Sequence, residues 1–85
     1  METVRERLEK MLVKNGMFDS QAKKVMDLAI PELQNLVEDY HITFDRPSEE
    51  YPKVVYGILF LDIKPIALKW IEENCPMAWF KPMFN

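Results

Sequence analysis

The chain contains one histidine and one cysteine, His41 and Cys75, so a thiolate–imidazole nucleophile could only be built from that pair. Cys75 directly precedes Pro76, where a helix has to end, and it reads as a small packed hydrophobe. Glu38, Asp39, His41 and Asp45 gather three carboxylates and the imidazole into one short stretch, the best metal-ligand set on offer. A closed zinc site needs a second His or Cys, and a calcium loop needs its central glycine. Neither is present, so the cluster reads as a solvated helix end running into a loop. Asp62, set between Leu61 and Ile63, is the one carboxylate embedded in apolar neighbours, a position where a shifted acid or base can arise. It reads more simply as a solvent-facing or lysine-paired residue, with Lys64 and Lys69 nearby.

The two glycines, Gly16 and Gly57, are isolated, which excludes a Gly-rich phosphate loop; CxxC, HExxH and GxSxG are absent. The expectation is therefore a protein that is not an enzyme, with no catalytic residues, no metal and no cofactor. A metal-binding or catalytic centre at His41 stays as the alternative that a His41→Ala variant would expose.

Other residues suggest recognition. Trp70, Met77, Trp79, Phe80, Met83 and Phe84 concentrate large apolar side chains near the C-terminal end, and such types are enriched at interface centres. Two readings stay open. The segment folds back to complete a small core, or it forms an apolar patch for another chain.

The elements that must position these residues are legible from periodicity and punctuation. Thr3-Val4-Arg5-Glu6 is a capping box, after which Val4, Leu8, Met11 and Leu12 share one helical face. Glu6 and Lys10 stand at the spacing of a favourable ion pair, and Asn15-Gly16 supplies a left-handed stop, predicting a first helix over 4–15. Asp19 or Ser20 is placed to cap a second helix, in which Ala22, Val25, Met26, Ala29, Leu33, Leu36, Val37 and Tyr40 keep one face straight through Pro31. Proline removes a backbone donor and clashes with the carbonyl four residues back, so a kink is expected there. The short link at Gly16-Met17-Phe18 makes these two helices a hairpin. Residues 41–47 read as a loop, with a short extended piece at 42–44.

Ser48 to Pro52 looks like a helix start, with a serine cap, early acids and a tolerated proline. The run Val54 to Leu61 is apolar all round, which suits either a buried strand or a helix. The helix is preferred because of the start signals before it, giving a third helix that starts at Ser48 to Pro52 and runs to about Asn74, kinked at Pro65. In that helix Gly57 would be explained by the close approach of a neighbouring helix. The predicted fold is all-α: a single domain over 1–85, with three helices, the second and third kinked, and an ordered aromatic C-terminal segment. The alternative is α+β, with a strand pair at 42–44 and 54–61.

Eighty-five residues with 48% hydrophobic content make one small globular domain rather than a disordered chain. So apolar a composition in so short a chain favours sharing surface with a partner, including a second copy, through the third helix and the C-terminal segment. A lone cysteine suits a reducing cytoplasm better than a secreted, disulfide-stapled fold, and the charged N-terminus does not read as a secretory leader. The longest uncharged apolar run, Val54 to Leu61, is far too short to span a bilayer, so no membrane is expected. The net charge of −3 is uneven: residues 25–50 hold one arginine against seven acids. That balance argues against nucleic acid, whose phosphates call for clustered Lys and Arg. It leaves open an acidic inhibitor of a basic target such as a nuclease.

Two resemblances accompany these readings. Leu8 to Ala29, with Gly16-Met17-Phe18 in the turn and Ala22 and Val25 after it, resembles the first helical hairpin of ubiquitin-associated domains. Here the turn runs Gly-Met-Phe where that family has Met-Gly-Phe, and the family's third short helix is not evident; no ubiquitin-binding residue is carried over. The layout Arg46-Pro47, Glu50-Tyr51-Pro52 and the ending from Ala67 through Trp70 to Asn74 and Pro76 to Phe84 is similar to small uncharacterised proteins encoded by phages and prophages. That resemblance implies an accessory protein that works by binding, with a protein partner. It assigns no functional residues.

Overall fold

A computed structural model describes residues 1–74 of the chain. Within them lie four helices and no strands: α1 (Val4–Lys14), α2 (Asp19–Glu32), α3 (Gln34–Tyr40) and α4 (Lys53–Asn74), with a 3-10 turn at Ser48–Glu50. The α+β alternative is not what forms, since 54–61 lies inside α4 and 42–44 is loop. The C-terminal segment from Cys75 onward, with Met77, Trp79, Phe80, Met83 and Phe84, lies outside the described residues.

The N-terminus of α1 shows how local chemistry and tertiary contacts divide the work. The Thr3 N–H donates to Glu6 Oε1 (3.0 Å) and the Glu6 N–H to Thr3 Oγ1 (3.1 Å), the reciprocal box its residues predict. Two further amides of the first turn have no helical acceptor, as at any helix start. The loop after α3 supplies them: Val4 N–H donates to the Arg46 carbonyl (2.9 Å) and Arg5 N–H to the Phe44 carbonyl (3.0 Å). Glu6 is thereby committed to the cap, and the expected Glu6–Lys10 pair does not form. Lys10 donates instead to Glu2 Oε2 (2.8 Å).

Gly16, at φ 110°, takes the left-handed turn that ends α1, and the chain reverses into α2. No side chain of Asp19 or Ser20 caps that start: Asp19 is already helical and pairs with Lys23, while the Gln21 carboxamide accepts the Phe18 N–H (2.9 Å). Arg5 fastens the hairpin, its Nε on buried Glu9 (2.9 Å) and its Nη2 on Asp27 (2.7 Å) and the Lys23 carbonyl (3.1 Å).

The single kinked second helix resolves as two. Pro31 stands inside α2, and the division falls at Leu33, whose backbone (φ −87°, ψ 8°) leaves helical geometry while its side chain stays in the core. A proline withdraws one amide from the ladder, and the chain two residues later takes the bridge conformation instead of continuing. α4, by contrast, runs unbroken through Pro65. Its start is also later than the serine signal suggests: Ser48 is buried in the 3-10 turn and is no helix cap. The Ser48 hydroxyl donates to Glu2 Oε1 (2.8 Å) and its N–H to the Glu2 carbonyl (2.9 Å).

Side chains from α1, α2 and α4 meet in one core, among them Leu8, Leu12, Val25, Met26, Leu59 and Ile63, all fully enclosed, with Ile42 of the loop. Tyr56 of α4 is buried beneath Arg7, whose guanidinium carbon lies 4.1 Å from the ring centre, and its hydroxyl donates to the Ser48 carbonyl. Among the described residues no buried side-chain polar atom lacks a partner.

Candidate interaction surface

The residues able to do chemistry are scattered. His41 ends α3 in the left-handed conformation (φ 53°), its side chain is exposed, and its carbonyl accepts from the Tyr51 hydroxyl (3.3 Å). Glu38, Asp39 and Asp45 are exposed around it, and among the described residues no three His, Cys, Asp or Glu side chains converge. Asp62, flanked by leucine and isoleucine in sequence, points to solvent because the α4 core face falls on Leu59, Ile63 and Ala67. The acids of the middle region are partly engaged within the fold: Asp27 by Arg5, and Glu50 by a two-point contact from Arg46 (2.9 and 2.6 Å), which holds the Glu50 carboxyl below its usual range.

The surface with most to offer is the outside of α4. A helix that is apolar all round belongs in a buried setting, yet α4 covers only one side. Val55, Tyr56, Leu59, Phe60, Ile63, Ala67 and Ile71 face the core. On the opposite side Val54 and Leu61 are each 64% exposed and Leu68 is 42% exposed, with Ile58 half-buried between them. Positions 54, 58, 61, 65 and 68 alternate steps of four and three, so these side chains form one straight ridge rather than isolated leucines.

Two open depressions flank the ridge. On the side of α1, Gly57 and Lys64 line a hollow with Met11, Val54, Ile58, Phe60 and Leu61. On the side of α2, Asp62, Pro65, Ile66 and Lys69 meet Glu32 and Leu33. Gly57 is exposed, and a Cβ built on it would meet nothing within 4 Å. Among the described residues no neighbouring helix explains the glycine, which costs α4 about 1 kcal/mol relative to alanine.

Trp70, the one candidate interface residue within the described part, is half-buried in a groove between α2 and α4. Leu28, 52% exposed, and Ile66 complete its apolar wall, with Glu32, Lys69 and Glu73 at the edge. At about 220 Å³ and open on one side, it is smaller than the roughly 300 Å³ at which small-molecule pockets begin. An expected surface on the third helix does not by itself single out Val54, Leu61 and Leu68, although the all-round apolar run at 54–61 carries their signal. No helix among the described residues is long and apolar enough to cross a membrane.

No protein-family model, no curated protein and no solved structure matches this chain.

Proposed function

We propose that this chain is a non-enzymatic protein-binding module whose contact surface is the outer ridge of α4 together with the Trp70 groove. The observation that supports this reading is the ridge itself: Val54, Leu61 and Leu68 hold a continuous apolar row in water on a helix whose other side fills the core. Scattered exposed leucines need no explanation, but an aligned row is the pattern of an interface. Met77, Trp79, Phe80, Met83 and Phe84 lie outside the described residues, and only their composition, rich in types enriched at interface centres, supports them as further contact residues. The likeness to phage and prophage proteins fits an accessory role of this kind, and the lone cysteine fits work in a reducing cytoplasm.

The test is affinity capture from lysate of the native host with three baits: the natural chain, Leu61→Asp and Trp70→Ala. Leu61→Asp changes an exposed position, so its stability should stay within about 0.5 kcal/mol of the natural chain. A protein retained by the natural chain and lost with folded Leu61→Asp supports the reading. Retention indifferent to both substitutions would sink it, and so would retention of nothing by a chain that is also monomeric.

A further inference from the structure

We propose that the outer face of α4 pairs with α4 of a second copy of this chain, parallel and in register, with the two helices crossing at Gly57. This rests on the reading of α4 as the binding surface and names its occupant. Val54, Gly57, Ile58 and Leu61 stand at i, i+3, i+4 and i+7, the four positions through which two crossing helices touch. Three of them are large and the fourth has no side chain, so the face offers its own knobs beside its own hollow. That hollow is open, and nothing among the described residues enters the space beside the Gly57 backbone. A glycine there lets a second backbone come close, which is the use its position in an exposed helix face otherwise lacks.

Charge selects the copy and its direction. Lys53, Gly57 and Lys64 fall in one row on the α1 side of the ridge, where Lys64 also lies 5.8 Å from the Phe60 ring. The α2 side carries Asp62, Lys69 and, from α2, Glu32. A two-fold axis along the helices sets the α1 side of one copy against the α2 side of the other. Lys64 then lies about 3 Å in helical rise from the second copy's Asp62, and the pair occurs twice. An antiparallel pair would instead lay the lysine row on itself. The ridge from Val54 to Leu68 is about 21 Å long and one helix wide, well short of the roughly 800 Å² per partner of a long-lived interface. The pairing is accordingly reversible and depends on concentration.

Sedimentation equilibrium on the full chain from about 10 µM to about 1 mM tests it. A monomer–dimer equilibrium is expected, abolished by Leu61→Asp. Gly57→Ala should raise the melting temperature of the monomer by about 4–8 °C, because alanine is the better helix former, while weakening the dimer by about tenfold or more. Lys64→Asp should weaken pairing, and adding Asp62→Lys should restore it. A monomer at every concentration, a dimer unmoved by Gly57→Ala, or a charge swap that fails to restore association overturns the proposal. A monomer that still captures a host protein through Leu61 overturns only the pairing, whereas a monomer that captures nothing removes the binding-module reading with it.

Discussion

Replacing Tyr56 by phenylalanine isolates the contact that ties α4 to the 3-10 turn. The ring is 2% exposed and stacks under the Arg7 guanidinium, and phenylalanine keeps both features. What is lost is the hydroxyl's hydrogen bond to the Ser48 carbonyl. That carbonyl still receives the Tyr51 N–H at 3.4 Å, so it is weakened rather than orphaned. A net cost of about 1–1.5 kcal/mol follows. Domains of this size hold about 4–13 kcal/mol in total, so the variant should fold and yet be measurably weaker. With a urea dependence of about 1 kcal/mol per molar, its unfolding midpoint at pH 7 should fall by roughly 1–1.5 M. Tyr56→Ala would add about 3–5 kcal/mol for the lost ring and is too disruptive to be informative.

Alkaline pH supplies an independent check on the same residue. Burial pushes the Tyr56 phenol above its ordinary value, because the enclosed site disfavours the charged phenolate. An acid whose pKa is raised by folding contributes fully below its unfolded value, near 10, and its contribution disappears as pH climbs through the raised folded value. The natural chain should therefore lose its advantage over Tyr56→Phe above about pH 10. Equal midpoints at pH 7, or a gap that stays constant from about pH 7 to 11, would refute this account of the contact.

Glu2 provides the acid-side counterpart. Its carboxylate accepts from Lys10 and from the Ser48 hydroxyl, which hold it below the usual carboxylate range. Its contribution is present above the ordinary carboxylate value of about 4.3 and is lost as pH falls through the lowered folded value, so a stability gap between the natural chain and Glu2→Gln at pH 6 should close in acid denaturation curves. His41 ends α3 with positive φ, so His41→Gly should raise stability by about 0.5–1 kcal/mol in urea melts; a loss on that substitution would show that the imidazole has a further role. Leu59, fully enclosed, should cost about 2–5 kcal/mol as Leu59→Ala, enough to bring thermal unfolding close to working temperature; a loss under about 1 kcal/mol would mean that α4 is not held by this core.

Local signals were read correctly where one short stretch contains both partners of an interaction. The Thr3–Glu6 box, the stop at Gly16 and the hairpin that follows depend on residues within a few positions of one another. The mainly helical character of 53–74 was likewise written in its length and start, although its first residue came later than the serine suggested. Misreadings arose where a side chain had competing partners. Ser48 has the chemistry of a helix cap, but Glu2, forty-six positions away, takes its hydroxyl. Lys10 has Glu6 one turn before it, but the cap occupies that carboxylate and Glu2 receives the lysine. Periodicity carried the apolar face across Pro31 and could not show that the backbone would divide at Leu33.

Alone, then, the amino-acid order determined that the chain is helical and where α1 and its turn lie, because those outcomes rest on backbone sterics and contacts within a turn. Which side of α4 became core was decided by tertiary structure. Val54 and Val55, or Leu59 and Leu61, are chemically interchangeable in a list, and only the placement of α1 and α2 against one side buries Val55 and Leu59 and leaves Val54 and Leu61 in water. Hydrophobicity is a property of the residue, whereas exposure depends on what the rest of the chain covers.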